Sequence, residues 1–252
     1  MNIELFGHAA IALRWTTTQG TPRTLLIDPY ASGGFGGRIG YPPIHCSPDL
    51  IVVTHNHSDH NHTQPFPGVP VVGPAQFNAA ARSNGGEGLF DATHHPINPV
   101  AAGLHLRALE VDHDPFGGRT RGGQSWMVQV VVEGLSIVHS GDIGELPEQH
   151  RLRALLGDRP VDLFCVVCGG YYTIGAAEAA ELTRRLGARI VLPMHHRTAR
   201  CTLPGLLGPE PFLARMGRLR KVEGSRVELS AEQVSIWAGS ALVLSDHVEG
   251  SA

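Results

Sequence analysis

Short apolar or alternating runs recur along the first half of the chain. IELFG (3–7), AAIALRW (9–15), TLLIDP (24–29), DLIVVT (49–54) and VPVVG (69–73) are each bounded by Gly, Pro or Thr-rich turns. That spacing predicts strands. DLIVVT is apolar without alternation, as in a strand covered on both faces. Between the third and fourth runs, ASGGFGGRIGYPPIHCS (31–47) reads as a long Gly/Pro loop. PAQFNAAARSN (74–84) opens on Pro and predicts a helix. The second half repeats the theme. LHLRALEV (104–111), SWMVQVVVEG (125–134), LSIVHSGD (135–142), VDLFCVV (161–167) and ARIVLPMHH (188–196) predict strands, the second and third joined by a Glu133-Gly134 turn. LPEQHRLRALLGD (146–158) and GAAEAAELTRRLG (175–187) carry helical periodicity closed by Gly. PEPFLARMGRL (209–219) predicts a last helix, followed by a hairpin through VELS (227–230) and VSIWAG (234–239). Strands dominate each half and helices follow. Two sheets face to face with helices outside satisfy that order.

No composition shift or linker divides the 252 residues, which predicts one domain spanning 1–252. A net charge of −3 supplies no basic footprint for nucleic acid. No apolar run reaches the ~18 residues of a membrane span. MNIELFGHAA lacks the basic start and apolar stretch of a secretory leader, so the expected setting is the cytoplasm. Self-association stays open. Of the four cysteines, Cys165 and Cys168 form a C-x-x-C inside an apolar run, and packing is the expected role rather than metal or redox chemistry.

The chain holds fifteen histidines, and four of them fall in HNHSDHNH (55–62), directly after DLIVVT. A His-rich surface turn is one reading. The other is a metal site. Alternate residues of an extended chain point the same way, so His55 and His57 can share one ion. Asp59 and His60 lie one turn onward and can serve a second ion about 3.5 Å away. Imidazole and carboxylate suit zinc, and also iron or manganese.

The H-x-H-x-D-H run after an apolar strand resembles the signature of the metallo-β-lactamase superfamily. Further motifs follow in the family's order: LLIDP with Asp28, VHSGDIG with Asp142, and VLPMHHRT with His195. GHA (7–9) and GGYYT (169–173) resemble segments of a subgroup of small metal-dependent hydrolases that includes ascorbate-6-phosphate lactonase and N-acylphosphatidylethanolamine phospholipase D. The resemblance spans residues 7 to about 198. It implies an α+β fold, a four-layer αββα sandwich. It implies two divalent ions, zinc foremost with Mn2+ or Fe2+ as alternatives, held by His55, His57, Asp59, His60, His113, Asp142 and His195. His113 stands before Asp114 where the family has His-Ser. His94, His95 and His105 compete for its role, and His196 competes with His195. His139 reads as structural. Asp28 is expected to orient the ligand loop from behind, and His8 to lie near the site without binding metal.

A hydroxide bridging two such ions attacks a carbonyl carbon or a phosphorus. The resemblance implies that Asp142 bridges the pair, and Asp59 is expected to bind the second ion and to accept a proton. The expected activity is hydrolysis of an ester, lactone or phosphodiester. A metal-binding protein of the same fold with a sensor or redox role is the alternative. Arg119, Arg121 and Arg197 suggest a small anionic substrate, with Tyr171 and Tyr172 as pocket walls.

Overall fold

A computed structural model describes residues 1–83, 88–91, 103–120 and 122–245. His94, His95 and Arg121 lie outside the described residues. The first half holds β1 (Asn2–Gly7), β2 (Ala10–Thr16), β3 (Pro22–Ile27), the single turn α1 (Gly34–Gly37), β4 (Leu50–Val52), β5 (Val71–Val72) and α2 (Pro74–Ser83). Then come β6 (Leu89–Asp91), β7 (Leu104–Asp112), β8 (Gln124–Val132), β9 (Leu135–His139), α3 (Gln149–Leu156), β10 (Leu163–Val167), α4 (Ala176–Leu186) and β11 (Ile190–Met194). The chain closes with α5 (Glu210–Leu213), β12 (Arg218–Val222), β13 (Arg226–Glu228), α6 (Ala231–Trp237) and β14 (Ser240–Leu244).

The strands form a six-stranded sheet, β13-β1-β2-β3-β4-β5, and an eight-stranded sheet, β12-β14-β11-β10-β9-β8-β7-β6. Each sheet starts antiparallel and turns parallel: β3, β4 and β5 in one, β9, β10 and β11 in the other. β4, β10 and β11, apolar along their whole length, lie in the parallel regions, where both faces are covered. Alternation assigns the faces. Ile11, Leu13, Leu25, Ile27, Leu50 and Val52 enter the main core together with β8, β9, β10 and β11 of the other sheet. Ala12, Leu26 and Ile51 face the opposite way and are covered by Ile44, Cys46, Phe66 and Val69. Outside the eight-stranded sheet, α3 packs on β7 and α4 on β10. This is the expected αββα sandwich. Cys165 and Cys168 are free thiols buried in that core, and burial raises both thiols far above their ordinary pKa.

Most predicted elements form where expected, but the C-terminal hairpin does not. VSIWAG lies largely in α6, because Ser230 caps it: its side chain accepts from Gln233 N–H. Ser230 and Gln233 have the spacing of a capping box, which outweighs the strand preference of Val234 and Ile236. The predicted helix over 209–219 is confined to α5, and β12 begins just after Gly217 as an edge strand with an alternating, mostly exposed pattern. β14 carries the fully buried run SALVL and pairs parallel with both β11 and β12.

Replacing Ser230 by Ala removes the α6 cap and is expected to lower stability by about 1 kcal/mol. Thermal or urea denaturation checks this, and a Ser230→Asp control should retain wild-type stability.

Candidate metal centre

The candidate residues sit where strands end. Asp28 follows β3, His55 follows β4, His113 follows β7, Asp142 follows β9 and His195 follows β11. His8 occupies the turn between β1 and β2. Carboxyl ends of parallel strands are where open α/β sheets bind ligands, and here two sheets deliver such ends to one place. The Asp142 turn is braced by neighbours: its N–H donates to Ser125 Oγ, and Gly141 N–H donates to His139 Nδ1. His139 Nε2 donates to the Ala9 carbonyl, so His139 is structural, as expected.

Asp142 Oδ2 lies 3.3 Å from His195 Nε2, 3.4 Å from His60 Nε2, 3.5 Å from His113 Nε2 and 3.8 Å from His55 Nε2. Besides the set Asp28, His55 and His60, the donor atoms fall into two groups, one of His55, His57 and His113, the other of His8, Asp59, His60 and His195. Within each group the ligand atoms lie within 4.8 Å of one another, and Asp142 stands between the groups. Ligand atoms around a tetrahedral ion with ~2.1 Å bonds sit about 3.4 Å apart, so these separations suit ions. The atoms are also unpartnered. His55 Nε2, His60 Nε2, His113 Nε2 and Asp142 Oδ1 are buried without a hydrogen bond. Buried polar atoms are normally paired. Several left bare and aimed at one another fit a cation.

The surroundings fix the tautomers. Thr54 N–H and Thr54 Oγ1–H both donate to Asp28, each at 2.7 Å. With its hydrogen spent on Asp28, Thr54 Oγ1 can only accept from His55 Nδ1, 2.9 Å away. His60 Nδ1 donates to Asp28 at 3.0 Å. Both rings therefore carry a proton on Nδ1 and turn Nε2 toward Asp142, the arrangement that makes imidazole a ligand once Nε2 is deprotonated. On the other side His8 Nε2 donates to Asp59 Oδ2 at 3.0 Å, while Cys201 Sγ lies 3.7 Å from its Nδ1.

Charge follows the same logic. Burial pushes His55 well below the ordinary imidazole range, with the charge on His60 adding to it. Burial likewise pushes His195 down to about 3. Burial alone would raise Asp142, yet His195 and His60 hold it well below the usual carboxylate range. Burial opposes a charge on His60, but Asp142 and Asp59 outweigh it and hold the ring protonated. The buried carboxylates thus demand positive charge. A proton on His60 supplies it in the protein alone; a cation would supply it with the imidazoles neutral.

These groups floor an open cavity of about 940 Å3, lined by His57, Asp59, His113, Asp142 and His195 together with Phe35, Arg38, Asn56, Ser58, Thr120, Tyr171, Tyr172, Leu203 and Pro204. Tyr171 and Tyr172 are therefore walls. Arg119 and Arg197 are exposed and do not line it. His105 faces solvent on β7, and His196 sits against the Arg197 carbonyl. Asp114, the residue that departs from the family pattern, folds the next loop by accepting from Phe116 N–H, Thr120 N–H and Thr120 Oγ1. Sequence reasoning missed Thr54, Cys201, Phe35 and Arg38. Only Thr54, a hydroxyl directly before the first ligand candidate, left a local signal.

Residues 2–195 match the model of the beta-lactamase superfamily domain. The chain belongs to the metallo-β-lactamase superfamily. Relatives include a UPF0173 metal-dependent hydrolase of Thermococcus onnurineus, 27% identical over 243 residues, covering 91% of this chain and 95% of that one. Another, Ta0764 of Thermoplasma acidophilum, is 29% identical over 207 residues, covering 79% and 84%. A metallo-β-lactamase superfamily structure from Thermotoga maritima superposes with a TM-score of 0.65 at 21% identity, covering 98% of this chain and 99% of that one. The superfamily's sandwich is thus the fold of this chain, with a His/Asp cluster able to bind metal at its edge.

One glycine conditions this superfamily site. A Cβ on Gly122 would lie 2.2 Å from His57 Nε2, and the residue's φ is +124°. Gly122→Ala should displace His57 and weaken metal retention by about 10- to 100-fold without unfolding the sandwich. Chelator competition together with circular dichroism checks this; unchanged retention would rule against His57 as a metal ligand.

Proposed function

We propose that the protein is a metal-dependent hydrolase that cleaves an ester, lactone or phosphodiester of a small anionic substrate. The observation that carries this is Asp142 Oδ2, set 3.3–3.8 Å from four imidazole Nε2 atoms on the floor of a cavity wide enough for a substrate. The names of the metal-dependent hydrolase relatives agree with it.

In this reading His55, His57 and His113 hold one divalent ion, Asp59, His60 and His195 hold a second, and Asp142 is shared. Nitrogen and carboxylate donors favour zinc, with Mn2+ or Fe2+ compatible. When bound, such a pair supplies water of lowered pKa and positive charge for a developing oxyanion. The chain's own residues do the rest. Asp28 and Thr54 keep the His55 and His60 lone pairs inward. His8 holds one oxygen of Asp59 in place, and Asp59, which lines the cavity, takes the proton released as the nucleophile forms. Tyr171, Tyr172 and Leu203 flank the substrate. The cavity's open side admits it from solvent.

The test is a panel of activated esters, lactones and phosphodiesters with protein loaded with Zn2+, Mn2+ or Fe2+. We expect turnover that chelation abolishes and about two equivalents of metal restore. Asp142→Ala should lose metal and turnover together while keeping the circular dichroism of the fold. Full metal content in Asp142→Ala would remove its shared role. Tight metal binding with no turnover of any bond class would instead favour a metal-binding protein with a sensor or redox role.

A further inference from the structure

We infer that Arg38 is the anion-recognising residue of the cavity, and that the substrate is an organic oxyanion whose carboxylate or phosphate lies apart from the cleaved bond, beside an apolar or aromatic body. This rests on the hydrolytic reading above and names its substrate class.

Arg38 is the one lysine or arginine among the described residues that line the cavity. It is exposed, and its guanidinium has no ion pair or hydrogen bond among the described residues. Its backbone is nonetheless fixed. The Arg38 carbonyl accepts from Thr202 N–H at 2.9 Å, Gly40 N–H donates to the Arg200 carbonyl at 2.6 Å, and the buried Ile39 between them bridges to Cys201. Such a guanidinium, anchored at its base and free at its head, can offer a two-pronged fork to an oxyanion.

The route to Arg38 is strained. Gly33, Phe35, Gly36 and Gly37 all have left-handed φ, between 52° and 87°. Three are glycines, for which this is free, but Phe35 bears a real cost. Packing does not repay it, since the Phe35 ring is 49% exposed. Tyr171, also in the lining, repeats the pattern, with φ 61° and 59% exposure. It leans on Gly205, where a Cβ would come within 2.5 Å of its ring. Two strained, exposed aromatic rings and one unpaired guanidinium therefore share a cavity whose carboxylates, Asp59 and Asp142, are already engaged by imidazoles. About 940 Å3 is near the upper end of small-molecule sites, large enough for a charged group set apart from the reacting bond.

The test uses zinc-loaded full-length protein and two anilides that keep their amide bond: N-phenylglutaramic acid, which carries a carboxylate, and neutral acetanilide. Calorimetry should show the acid binding about tenfold or more tightly than acetanilide to wild type. Arg38→Ala should erase that preference, and Arg38→Lys should restore part of it. In parallel, mono-4-nitrophenyl glutarate and 4-nitrophenyl acetate report hydrolysis. The preference for the anionic ester should fall by about tenfold or more in Arg38→Ala, through KM rather than kcat. An acid preference that survives in Arg38→Ala would overturn the inference and leave the hydrolytic reading untouched. Hydrolysis of neither ester and of no lactone or phosphodiester, with the Arg38-dependent binding preference intact, would overturn the hydrolytic reading and leave Arg38 as the anion site.

Discussion

The carboxylate of Asp28 is fully buried and accepts three hydrogen bonds, from the Thr54 backbone, the Thr54 hydroxyl and the His60 ring. A buried carboxylate must be satisfied in this way, because a bare one costs several kcal/mol. The consequence is geometric. Asp28 ends β3 and Thr54 lies just beyond β4, so the bonds lock two parallel neighbours at their carboxyl ends. The same bonds set the tautomers of His55 and His60. Strand register, loop position and ligand chemistry are thus coupled through one side chain. The free Nε2 atoms then meet Asp142 from the other sheet, and the sandwich closes on a cluster that needs positive charge.

That cluster is held at a cost in backbone strain. Among the described residues, six other than glycine have positive φ: His8, Asp28, Phe35, Glu133, Tyr171 and His195. Glu133 belongs to the β8–β9 hairpin turn, where positive φ at both central positions matches the strand twist. The other five surround the cavity or its floor. Each costs on the order of 1–3 kcal/mol, which the extensive two-sheet core can offset. His195 shows why the strain is retained: its N–H donates to the His8 carbonyl, which ties the end of β11 to the β1–β2 turn and brings its ring within 4.1 Å of the His8 ring.

How much of this was legible in the sequence depended on distance along the chain. His55, His57, Asp59 and His60 stand out because the chemistry is local, whereas Asp28, Asp142 and His195 are singled out only by the family resemblance, each at the end of an apolar run. Asp114 departs from the family's His-Ser, and its side chain instead folds the 114–120 loop. The α6 cap was also local, in Ser230 and Gln233, but the apolar run after it resembled a strand. Arg38 had no such signal. It lies in a glycine-rich loop whose path depends on a backbone bridge from Ile39 to Cys201, far along the chain. Arg119 and Arg197, by contrast, stand next to site residues in sequence yet point out of the cavity's lining. Proximity in sequence and proximity in space part company where loops, rather than strand ends, build the wall.

The proposed pair of metal positions has two groups of inward-facing imidazoles and carboxylates flanking Asp142. Anomalous X-ray diffraction at the zinc edge, from crystals of zinc-loaded protein, tests it most directly. Two peaks are expected, one among His55, His57 and His113, the other among Asp59, His60 and His195, with Asp142 between them. A single peak that leaves one group empty at saturating zinc, or peaks away from Asp142, would contradict it.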